Sequence, residues 1–145
     1  MLLNLHRTAA ALALASIALF WLSTVTVEAI GSPDAIAAVK RAILWGLLVL
    51  VPALIATNAS GFRLARGIPP EVVRPKLRRA VMAAANGLLI LVPAAFYLDA
   101  LARAGSFGTP FVAVQALELV AGATNFLLLA ANVRAGRRLH GRVAG

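Results

Sequence analysis

The segment from Pro110 to Val133, PFVAVQALELVAGATNFLLLAANV, is long and apolar enough to cross a bilayer, yet it carries Gln115, Glu118, Asn125 and Asn132. Steps of 3, 7 and 7 residues put all four on one helical face, with Gly122 among them. Hydrocarbon cannot solvate such a stripe, so the rest of the chain has to cover it.

Three further runs can supply that cover. Thr8 to Val27 holds 20 uncharged residues and Ala42 to Phe62 holds 21, while Ala80 to Leu98 runs uncharged up to Asp99. Each is near the ~20 residues a helix needs to span a hydrocarbon core of about 30 Å. Only 13% of the 145 residues are charged, against about 25% in soluble domains. The expected fold is therefore all-α: one integral membrane domain, a four-helix up-down bundle with spans at about 8–29, 40–62, 76–100 and 110–133. A basic loop at 63–75 and a basic tail at 134–145 complete it, with Pro75 as the first residue of the third helix. Val27-Glu28-Ala29 resembles a signal-peptide cleavage site, but the preceding apolar run exceeds an ordinary signal core, which favours a retained first helix.

Charge sets the orientation. With both termini cytoplasmic, 11 Lys and Arg residues lie inside and 3 (Lys40, Arg41, Arg103) outside, as the positive-inside rule requires. The formal net charge of +9 is thereby assigned to anionic lipid headgroups at the loop and tail, and not to nucleic acid. Cysteine is absent, which excludes disulfides and thiol chemistry. No Walker A, G-x-S-x-G, H-E-x-x-H or GxGxxG motif occurs, so neither a soluble enzyme nor a metal site is expected.

An internal repeat stands out. Gly46–Ala53 reads GLLVLVPA and Gly87–Ala94 reads GLLILVPA, seven of eight positions being identical. Pro52 and Pro93 each release a carbonyl one turn earlier, at Leu48 and Leu89. The sequence thus predicts paired helix kinks facing each other near the midplane, a feature shared with transporters.

Polar residues inside the spans are the candidate site. Glu118 is the only acid well within a span. Its expected partners are Ser23, Thr24 or Thr26 if it is protonated, and Lys40, Arg41 or Arg103 if it is ionised. As a neutral packing group it would tolerate Glu118→Gln. Asn58, Asn86 and Asn125 lie roughly 6, 9 and 12 Å from the inner ends of their spans, at 1.5 Å per residue. They are expected to form an inner amide group, with Gln115 and Glu118 in an outer layer. Ala9, Ala13, Ser16 and Ser23 give helix one a small-residue face. His6 continues that face and, with His140 beyond helix four, is a candidate ligand for a haem b.

Five pieces carry a resemblance: LHRTAA (Leu5–Ala10), STVTVE (Ser23–Glu28), GLLVLVPA, ANGLLILVPAAF (Ala85–Phe96) and QALELVAGATNFLLLAANVRAG (Gln115–Gly136). In this order the chain resembles uncharacterised small bacterial inner-membrane proteins with four transmembrane helices. The resemblance implies class and location but no activity. The chain lacks the acid that small multidrug transporters carry in the middle of the first helix. The expected function is a non-enzymatic accessory or scaffold bundle, with a homo-oligomer or another membrane protein as partner. A proton- or cation-coupled transporter or channel using Glu118 is the alternative, and a haem protein the third reading.

Overall fold

The structure is a computed structural model that describes residues 1–143, with side chains described through Gly136. Its regular structure is entirely helical among the described residues. Four long helices follow one another: α1 (Leu2–Ile30), α2 (Pro33–Leu64), α3 (Pro70–Arg103, with a π-helical turn at Gly87–Leu91) and α4 (Thr109–Val143). α1 packs on α2 and α4, and α3 packs on α2 and α4, so the helices form a ring of four neighbouring interfaces.

The helices are longer than the uncharged runs, since helix formation extends into the polar residues that flank them. α2 begins at Pro33, where Ser32 Oγ accepts from the Ala35 amide at 3.3 Å and Asp34 occupies the first turn. The loop expected at 63–75 is mostly helix. α2 continues to Leu64, and α3 opens at Pro70 with Glu71 in its first turn, leaving Pro75 inside the helix. Pro69-Pro70 followed by an acid is itself a sound helix start, and it precedes the one at Pro75. Likewise α1 starts at Leu2, and α4 runs past 133 into the expected tail.

Burial is inverted relative to a water-soluble bundle. Large apolar side chains such as Leu19, Leu48, Leu89, Val120 and Leu127 point outward on all four helices. The interior holds small and medium residues, with Ala13, Ile17, Leu50 and Ala53 as one cluster and Leu98, Ala102 and Phe111 as another. Among them are buried Thr24, Lys40, Ser60, Asp99, Gln115 and Asn125. Such an arrangement suits a hydrocarbon solvent, in which outward apolar surface costs nothing and polar groups must find partners inside. Trp45 and Tyr97 are exposed on the outer surface.

The two copies of the repeat behave differently. Pro52 and Pro93 are both exposed on the outer surface, so the prolines do not face each other across the bundle. α2 passes through Pro52 as unbroken α-helix, whereas α3 widens into its π-helical turn just before Pro93. The difference lies in their neighbours. Gly46 is seated on the Phe20 ring of α1, while Asn86 and Gly87 are held against Asn125 of α4.

Candidate functional site

The polar stripe of α4 faces inward along its length; Glu118, Asn125 and Asn132 are tied to residues on other helices, while Gln115 bonds Glu118 within α4. Glu118 Oε2 accepts from Lys40 Nζ at 2.7 Å. Gln115 Nε2 donates to the same oxygen at 3.3 Å. The Lys40 side chain is 1% exposed and that of Glu118 12%. Lys40 sits on α2, diagonally opposite α4 in the ring, so its four-carbon arm crosses the bundle. Of the partners expected for Glu118, the ionised set is the one realised. Thr24 is buried and lines the same cavity as Glu118 but does not bond to it. Ser23 is half-buried at the edge of its face, and Thr26 is exposed. The buried face of α1 runs instead through Ala9, Ala13, Ile17 and Thr24. With Lys40 as partner, the expectation for Glu118→Gln reverses: the substitution leaves a buried cation without its counter-charge.

Arg41, the next residue, turns the other way. Its Nε donates to Asp99 Oδ1 on α3 at 3.0 Å, and Arg103 Nε donates to Asp99 Oδ2 at 3.0 Å. Asp99 is buried, while both arginines keep substantial exposure. The adjacent cations Lys40 and Arg41 thus bind α2 to both α4 and α3. The sequence offers Lys40, Arg41 and Arg103 alike as partners of an ionised Glu118 and leaves Asp99 unpaired at the end of a span. The available signal was the i,i+4 pair Asp99–Arg103, together with the requirement that an acid inside a span find a cation.

Nearer the other end, Asn86 Nδ2 donates to Asn125 Oδ1 and to the Ala121 carbonyl, both at 2.8 Å. Asn132 Nδ2 donates to the Lys76 carbonyl at 3.1 Å. Asn58 is half-buried on α2 and does not join this amide group, because α2 meets the second half of α3 and not the first. The inner layer is therefore two amides and not three. Asn125→Leu removes one of the two acceptors of Asn86 and leaves it the Ala121 carbonyl; interhelical hydrogen bonds of this kind are worth about 0.6–2 kcal/mol. A melting point lowered in detergent, with helicity retained by circular dichroism, is the expected result.

His6 Nδ1 lies 3.1 Å from both the Thr57 carbonyl and Ser60 Oγ, which joins α1 to α2. Trp21 Nε1 donates to the Leu119 carbonyl at 3.0 Å and joins α1 to α4. Gly122 makes room for that indole, since a Cβ there would stand 3.3 Å from Trp21 Cδ1. The side chain of His140, the second candidate haem ligand, lies outside the described residues. A cavity of about 70 Å³ lies between the helices near Ile17, Leu47, Leu91 and Glu118. It is too small for a haem, and His6 does not line it. Among the described residues no cluster of His, Asp and Glu is arranged to hold a metal.

No protein-family model matches the chain, and no curated protein or solved structure is significantly similar to it. The class rests on the helices themselves. All four are long and apolar enough to cross a bilayer, which makes this a multi-pass membrane protein.

Proposed function

We propose that the chain is a non-enzymatic accessory or scaffold bundle of a bacterial inner membrane, in which the intramembrane polar groups fasten the helices to one another. One observation carries this reading: every neighbouring interface of the ring holds a cross-helix hydrogen bond or ion pair. His6 serves α1–α2, Arg41–Asp99 serves α2–α3, Asn86–Asn125 serves α3–α4 and Trp21 serves α4–α1. Lys40–Glu118 adds the diagonal. A carboxylate engaged by a buried ammonium at 2.7 Å is already neutralised and offers little to a passing cation. An up-down order with both termini cytoplasmic is supported by the 11-to-3 distribution of Lys and Arg that it would give.

A cation- or proton-coupled carrier is the second reading, favoured by the position of Glu118 on the wall of the central cavity. Reconstituted liposomes separate the two. The scaffold reading expects proton and monovalent-cation flux equal to that of empty liposomes. Flux above that level, lost in Glu118→Ala, would replace it with the carrier.

A further inference from the structure

We propose that the outer face of α3 holds a binding site for an anionic phospholipid, built from Arg74, Arg78 and Arg79 above an apolar track. The two ends of the bundle differ in how their charges are met. Among the described residues, the ion pairs use Lys40, Arg41 and Arg103, all at the end where Glu28, Asp34, Asp99 and Glu118 also lie. At the opposite end the segment 63–79 carries six basic residues and a single acid, Glu71. No described ion pair includes Arg74, Arg78 or Arg79. Lys76 is spoken for in another direction: it is half-buried, faces α4 near Gly136, and its carbonyl accepts from Asn132.

The three arginines line a surface concavity of about 380 Å³ with Pro75 and Met82. Guanidinium groups in this arrangement suit phosphate oxygens, to which each can donate in a bidentate fork. What selects a lipid over a soluble anion is the continuation of the face. Steps of four, four, three and four residues lead from Arg74 to Arg78, Met82, Ala85 and Leu89, and all five are exposed. One stripe thus passes from guanidinium to bare hydrocarbon along a single helix, matching a phosphate headgroup and the acyl chain beneath it. A free phosphate would use the first part of this stripe and leave the rest unexplained.

The test uses full-length protein in mild detergent, titrated with fluorescent phosphatidylglycerol and with phosphatidylcholine of the same chains. The anionic lipid should bind at least about tenfold more tightly, and R74Q/R78Q/R79Q should abolish the preference. The triple variant R63Q/R66Q/R134Q, with the same charge change elsewhere at this end, should keep it within about twofold. Met82→Asp leaves the arginines in place, charges the acyl track and should weaken the same lipid severalfold. Equal losses in the two triple variants would mean diffuse attraction and would overturn the site. So would no loss in the first triple variant, or full displacement of the lipid by inorganic phosphate at equal concentration.

Discussion

Glu118→Ala is expected to be the most damaging single substitution in the chain, lowering stability by about 3–5 kcal/mol, the range for breaking a buried ion pair from one side. The reason is the state of Lys40. Its side chain is 1% exposed and directed across the bundle, so the loss of Glu118 leaves an ammonium in a low-dielectric interior. Gln115 cannot compensate: its amide nitrogen already points at Glu118, and an amide carries no charge. Insertion scales set the cost of an unpaired lysine at a helix centre at about 2.5–3.5 kcal/mol, and Lys40 reaches a comparable depth only through its arm. Asp99→Ala should cost less although Asp99 is also buried, because Arg41 and Arg103 retain access to the surface and can be solvated there. Thermal denaturation of both variants in one detergent checks the order. A smaller shift for Glu118→Ala than for Asp99→Ala would show that Lys40 reaches the interface unaided.

The second large effect is expected at Gly46→Leu. Two influences oppose each other there. Replacing a helical glycine gains up to about 1 kcal/mol of helix propensity. Against it, a side chain at this position runs into the Phe20 ring, the closest approach that any described glycine makes to a neighbouring side chain. Overpacking of this kind typically costs about 1–3 kcal/mol, and a full leucine lies toward the upper end, so the clash wins. Phe20 borders the central cavity of about 70 Å³, into which its ring can shift by a small amount. Gly46→Ala already sets its Cβ against the ring and should cost part of this, less than Gly46→Leu because Phe20 can yield toward the cavity. Adding Phe20→Ala to Gly46→Leu should recover much of the loss. Failure of that rescue would place the damage elsewhere than the α1–α2 interface.

The fold was more legible in the sequence than the partnerships inside it. Three uncharged runs and a fourth interrupted only by Glu118 imply four spanning helices because hydrocarbon allows little else. The inward stripe of Gln115, Glu118, Asn125 and Asn132 follows from helical spacing alone. The sequence left Lys40, Arg41 and Arg103 as alternative partners of Glu118, for a physical reason. An extended lysine arm reaches well beyond its own turn, so a position near the end of a span does not decide whether the ammonium goes to water or across the bundle. The amide group was overcounted because depth along a span says nothing of which helices are neighbours: Asn58 has the right depth on α2, but Asn86 and Asn125 face each other at the α3–α4 interface. The repeat misled in a similar way. Seven identical positions of eight fix the local chemistry, while Asn86 bonded to α4 and Phe20 beside Gly46 give each copy different surroundings.

If the buried polar groups are fasteners, Lys40 and Glu118 should be replaceable together. A double-mutant cycle with Lys40→Met, Glu118→Leu and the pair, read as unfolding free energy in one detergent, tests this directly. Each single variant should be strongly destabilised, and the double variant should return to within about 1 kcal/mol of the parent, since a well-packed apolar pair commonly matches a buried ion pair. Single losses that simply add in the double variant, with no coupling between the two sites, would contradict the account.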